Sequence, residues 1–184
     1  MAILIAMLRA VNVGGRNKIK MEALRELCES LKLRGAVTHL NSGNVVFRAP
    51  ARDAAAIAKQ LEKSIERAAG FHCDVVVRSP AELKDAIARN PFARRGLDPS
   101  KILVYFLAAE PHAEALARLS QIKAEPEEVH VHARELFIYF PNGMGRPKLS
   151  IAVIERALKV PGTGRNWNTV TKLLEIAESL SASA

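Results

Sequence analysis

The sequence predicts an α+β fold built from two small modules in tandem, and three observations predict it. Short aliphatic runs alternate with longer stretches of helical period, the order strand, helix, strand, strand, helix, strand occurs twice, and a segment of turn formers from Asn90 to Ser100 separates the two occurrences.

Ile3 to Leu8 is an apolar run with the length of a buried strand. A Gly14-Gly15 loop follows, and then Met21, Leu24, Leu27, Cys28 and Leu31 recur at helical spacing. Val37 to Leu40 and Val45 to Arg48 are strand-like, and Asn41, Ser42, Gly43 and Asn44 between them have the turn chemistry of a hairpin. Ala54 to Ala69 places Ile57, Leu61, Ile65 and Ala68 on one helical face, Gly70 closes that helix, and Asp74 to Arg78 supplies a fourth strand. Ser79 to Pro91 reads as a connecting helix, with Ser79 as its N-cap and Pro80 in its first turn.

The second occurrence runs through a strand at Ile102 to Leu107, a helix at Ala113 to Ile122, strands at Glu128 to His132 and Glu135 to Phe140, and a helix at Leu149 to Lys159. A short strand around Thr163 to Arg165 and a terminal helix from Trp167 to Leu180 complete it, with the tail from Ser179 to Ala184 expected to be loose. The order βαββαβ is that of a ferredoxin-like plait. The expected organisation is therefore a ferredoxin-like module over residues 1–78, a connecting helix and linker over 79–100, and a second such module with the terminal helix over 101–184. No repeat of individual residues between the modules is visible.

An apolar fraction of 49% with 25% charged residues lies in the globular range and excludes a disordered chain. The first apolar run has no basic residue before it and is stopped by Arg9, which makes it too short for a membrane span and wrongly flanked for a signal peptide. Cys28 and Cys73 have neither metal-type nor redox-type spacing and do not form a disulfide framework. A cytoplasmic protein without membrane partner, metal or cofactor is expected. His130 and His132 share one face of a strand but supply only two ligands, short of a metal site.

The charge balance carries functional content. Lys and Arg number 27 against 19 Asp and Glu, a net +8 that favours anionic partners. Arg9, Arg16, Lys18 and Lys20 fall within twelve residues that hold no acid. With right-handed crossovers the third strand of a plait lies beside the first, so the loop carrying Asn12, Gly14, Gly15, Arg16, Asn17 and Lys18 is expected to meet the turn of Asn41, Ser42, Gly43 and Asn44. Paired glycines let backbone N–H groups approach a ligand, the following helix start favours negative charge, and Arg16 and Lys18 add full cations. The competing reading is that these glycines only make turns. In the second module the segments Pro141 to Gly145 and Arg165 to Asn168 are expected at one end of the sheet, where Arg165, Lys148, Tyr139 and Trp167 would flank a pocket. Alternatively, Asn166 or Asn168 caps the terminal helix and Trp167 packs as an apolar anchor.

Taken together, the strings LRAVNVGGRNKIKM, NSGNVVF, KLS and GTGRNWNTVTKL resemble the bacterial domain-of-unknown-function family 1697. The resemblance runs from the first strand to the terminal helix and implies a pair of ferredoxin-like subdomains with no assigned activity. It implies a ligand site drawn from Arg9, Asn12, Gly14, Gly15, Asn17, Lys18, Ser42, Gly43, Asn44, Lys148, Arg165, Asn166, Trp167 and Asn168, with Thr169 also in the pattern; charge adds Arg16. The chain departs from the pattern at Ala10, where glycine is usual, and at Asn41, where glutamine is common.

Three functions follow from these features. The first is a basic binding protein for phosphate-bearing ligands, including nucleic acid, although the central strands offer Ile5, Met7, Val46 and Phe47 instead of the aromatic run of an RNA-recognition sheet. The second is an enzyme or sensor for a small phosphorylated molecule, for which no nucleophile and base pair can be nominated. The third is a protein-interaction scaffold. Whether a reaction is catalysed, and the oligomeric state, are left open by the sequence.

Overall fold

The computed structural model describes residues 1–50 and 53–182. Of the tail expected to be loose, Ser183 and Ala184 lie outside the described residues, and the part before them is helical.

The run AILIAML forms β1 (Ala2–Leu8), whose last five residues are all buried, as a central strand requires. It pairs antiparallel with β3 (Asn44–Ala49) on one side and β4 (Val75–Arg78) on the other, and β2 (Arg34–His39) adds outside β3. The sheet order is thus β2-β3-β1-β4. Alternate residues Leu4, Ala6 and Leu8 of β1, with Val45, Phe47, Val75 and Val77, meet the apolar stripes of α1 (Met21–Ser30) and α2 (Ala54–Ala69) in one core. Asp53 caps α2 by accepting the N–H of Ala56, and Gly70 ends it in the left-handed conformation at φ 76°. α3 (Pro80–Ala88) opens with a capping box, in which Ser79 Oγ accepts from Glu82 N while the Glu82 carboxylate accepts from Ser79 N.

The second sheet has β5 (Ile102–Leu107) at its centre, with the order β6-β7-β5-β8 for β6 (Glu128–His132), β7 (Glu135–Tyr139) and β8 (Gly162–Asn166). Between these strands, α4 (Ala113–Ser120) and α5 (Ile151–Leu158) close a core with Tyr105, Leu107, Leu136 and Ile138. α6 (Trp167–Ala182) follows β8. The architecture is mixed α+β, with two four-stranded antiparallel sheets and six α-helices among the described residues. No helix among them is long and apolar enough to cross a membrane.

The chain groups into two compact units, one of Met1–Asp85 with the residues from Thr171 onward, the other Ala86–Val170. This differs from the expected division at 78 and 101. The linker belongs with the second unit because Phe92 is buried against His130 and Tyr139 and Arg95 pairs with Glu128. The end of the terminal helix belongs with the first because the Arg48 guanidinium on β3 donates to the Leu180 carbonyl. Other boundaries moved for equally local reasons. α5 starts at Ile151 and not at Leu149, because the Leu149 N–H is taken by the buried Glu127 carboxylate. β2 begins at Arg34, earlier than its apolar residues, because Arg34 pairs with Arg48 across a bulge.

Candidate functional site

The connection from β1 to α1 is a tightly organised loop. Ala10, Asn12, Gly14, Gly15 and Asn17 all have positive φ, between 50° and 75°. Asparagine and glycine adopt this region readily; alanine does so at a cost. The loop is closed on itself by Asn12 N donating to Asn17 O at 3.1 Å and by Asn17 Nδ2 donating to Ala10 O at 3.2 Å.

Asn12 is the centre of this arrangement. Its Oδ1 accepts from Ile19 N and its Nδ2 donates to Ile19 O, both at 2.9 Å, so the side chain serves Ile19 as a neighbouring strand would. The same Nδ2 donates to Asn41 O at 2.7 Å, which stitches the loop to the β2–β3 turn. The two segments that strand order was expected to bring together are therefore bonded directly. Gly43 permits the contact: at φ 73°, a Cβ there would lie 2.6 Å from Val11 Cγ2 and 2.7 Å from Leu8 Cβ. Asn44 is fully buried, and its Nδ2 donates to His39 O and Ser42 Oγ, fixing the turn. Arg9 is engaged with Asp74 at 3.0 Å, with His72 on the other carboxylate oxygen at 3.5 Å.

What remains for a ligand is on the outer side. Arg16, Lys18 and Lys20 are exposed, and their side chains make no hydrogen bond or ion pair among the described residues. Gly14 and Gly15 have nothing within 4 Å of where a Cβ would stand, leaving their backbone open to approach. An open cleft of about 690 Å³ lies here, lined by Gly15, Lys18 and Lys20 together with Asn12, Ile19, Met21 and Asn41. Ile19, Lys20, Met21 and Asn41 line the cleft but are absent from the sequence-derived site; Lys20 is the charged one, and its signal is the alternation Lys18, Ile19, Lys20, in which the middle residue is buried. Lys20 is also the N-cap of α1 and supplies no side-chain acceptor, so the first N–H groups of that helix are not capped by it.

The second cluster is a set of structural contacts. Asn166 Oδ1 accepts from Asn168 N and its Nδ2 donates to Ser100 O, so Asn166 is the residue that caps α6. Arg165 is buried on β8, where its guanidinium donates to Thr163 Oγ1 at 2.7 Å and to Gly164 O at 2.8 Å; burial lowers its pKa to about 10. Trp167 is half-buried and Thr169 buried, while Asn168 and Lys148 are exposed. Lys148 N donates to Glu127 beside β6, whereas Arg165 sits on β8 at the opposite edge of the sheet. Three strand spacings, roughly 14 Å, separate those edges. The polar segments expected around Arg165, Lys148, Tyr139 and Trp167 thus share an end of the sheet, with Arg165 and the Lys148 backbone toward opposite edges.

A family model described as "Protein of unknown function (DUF1697)" matches residues 1–137. The chain belongs to this family. No curated protein matches it. A solved structure, a conserved bacterial protein from Streptococcus pneumoniae, is similar to it at 22% identity with a TM-score of 0.71, covering 96% of this chain and 98% of that one; at this identity the likeness is one of fold. The DUF1697 match contains the whole first cluster and ends before the second. In this DUF1697 chain Asn12, Ser42, Gly43 and Asn44 shape the loop and turn, Arg9 anchors it to Asp74, and Gly14, Gly15, Arg16 and Lys18 face solvent.

The two thiols take no part. Cys28 and Cys73 are buried, and desolvation pushes each pKa up to about 12, with Glu29 adding to the first and Glu62 and Asp74 to the second. Among the described residues no group of three or more His, Cys, Asp or Glu could hold a metal ion.

Proposed function

We propose that this protein is a binding protein for a phosphate-bearing ligand, held in the cleft between the β1–α1 loop and the β2–β3 turn. The observation that carries this reading is the division of labour in the loop. Its Asn12 and Asn17 side chains are spent on architecture, while Lys18 and Lys20 line an open cleft beside Gly15, and Arg16 is exposed on the same loop, all three without a side-chain partner among the described residues. Cations held without counter-ions on a rigid frame favour an oxyanion that brings its own charge. Binding is favoured over covalent chemistry because both thiols are buried and held protonated.

Two finer assignments accompany this reading. Each unit is taken as a ferredoxin-like plait, supported by its βαββαβ order and by a first strand flanked by the third and fourth. A cytoplasmic location is supported by two unpaired thiols in a chain of net charge +8.

The test is thermal unfolding at low salt with added pyrophosphate or a nucleoside monophosphate. The melting temperature should rise with ligand concentration in the parent protein and stay flat in the Arg16→Ala, Lys18→Ala double variant. Absence of any ligand-dependent shift in the parent, with every phosphate compound tried, would sink the proposal.

A further inference from the structure

Resting on the phosphate-ligand reading, we infer that the occupant of the cleft is the phosphodiester backbone of a nucleic acid, held without regard to base sequence. Ile19 is the pivot of the argument. Its side chain is in the core at 8% exposure, and its N–H and C=O are both bonded to Asn12 at 2.9 Å. The backbone is thereby pinned through Ile19 and continues extended into Lys20 at φ −71°, ψ 141°. Neighbours in an extended chain alternate sides, so with Ile19 turned inward Lys18 and Lys20 both stand outward, their Cα atoms about 7 Å apart at a rise of ~3.3 Å per residue. Both line the cleft.

Two cations held apart in this way suit two phosphates with a sugar between them. The phosphates of a pyrophosphate share one bridging oxygen and lie much closer, and a mononucleotide offers the pair a single phosphate. The rest of the cleft lining is Asn12, Gly15, Ile19, Met21 and Asn41, with no aromatic ring for a base to stack on. Charge therefore dominates the binding energy, and the net +8 of the chain draws a polyanion toward it.

The experiment is fluorescence anisotropy of the full chain with labelled mixed-sequence oligonucleotides, single-stranded and duplex, over a series of salt concentrations, with pyrophosphate, polyphosphate and nucleoside monophosphate as competitors. At least one oligonucleotide form should bind with little dependence on base sequence and with a steep salt slope. In Lys18→Ala, Lys20→Ala the slope of log K against log salt should become shallower by about 1.4 for a single strand or about 1.8 for a duplex, and Lys18→Arg, Lys20→Arg should restore it. Unchanged melting temperatures in both variants would show that the fold is intact. Displacement by pyrophosphate or mononucleotide at an equal or lower phosphate concentration would overturn the inference while leaving the phosphate reading in place. Failure of both the oligonucleotides and the small phosphates to bind would overturn both. An unaltered salt slope in the alanine variant would place any binding elsewhere on the protein and likewise overturn the inference.

Discussion

The two units repeat one another strand by strand, yet only the first carries an elaborated loop after its opening strand. In the first, Leu8 stands opposite Val75 and Ile5 opposite Arg78; in the second, Leu107 stands opposite Gly162 and Val104 opposite Arg165. Each arginine is buried at the fourth position of its strand, and each donates to the carbonyl of the residue before it, Val77 and Gly164 respectively. The turns repeat as well: Leu8 N donates to Gly43 O and Leu107 N to Arg134 O, both at 2.8 Å. The connections differ. Residues 9–20 join β1 to α1, whereas residues 108–112 suffice between β5 and α4. In the second unit the long connection is residues 140–150, after β7, and because the first and third strands run antiparallel it leaves the opposite end of its sheet. A scaffold that closes with a short connection in one copy does not require the long one in the other, and a stretch beyond the needs of the fold is a natural place for function.

That comparison can be broken most forcefully at the matched turn positions Gly43 and Arg134. Gly43→Ala should cost about 3 kcal/mol or more in a denaturant titration, since the new methyl meets Val11 and Leu8 and the backbone has positive φ. Arg134→Ala should cost clearly less, and an equal loss would mean that the two turns are constrained alike. Next in size is Asn12→Ala, which removes three hydrogen bonds. About 2–3 kcal/mol is the expected loss by the same measurement, at roughly 1 kcal/mol per bond. It should also weaken phosphate binding without altering any charge, because Lys18 and Lys20 lose their frame; unchanged affinity would detach the cations from the loop geometry. The smallest effect is a gain. Ala10 is held at φ 52°, and Ala10→Gly should raise stability by about 1 kcal/mol, seen as a higher melting temperature.

Ala10 also shows how far the sequence could be read. The resemblance implied glycine there, and the observed φ of 52° supplies a reason that no local pattern around Ala10 announces. The limits of α2 were legible because Ile57, Leu61, Ile65 and Gly70 lie in the chain itself, although Ala68, expected on the same face, is exposed; β5 and β6 also had the expected limits. The start of α5 was not, because Glu127, 22 residues before Leu149, decides it. The meeting of the β1–α1 loop with the β2–β3 turn followed from strand order alone. The separate duties of the residues in that meeting did not follow, since Asn12 and Lys18 look equally polar until the bonds to Ile19 and Asn41 are seen.

The sequence by itself determined the element order, the α+β class, the basic charge and the two polar clusters, because periodicity, turn chemistry and composition are local properties of a chain. Tertiary structure decided that the second cluster is spread over opposite edges of a sheet, that the terminal helix ends with the first unit, and that Lys20 joins Lys18 at the cleft. Those outcomes depend on hydrogen bonds and burial between residues distant in the chain, such as Arg48 with Leu180 and Asn12 with Asn41, and pairings of that kind leave no periodic trace in the sequence.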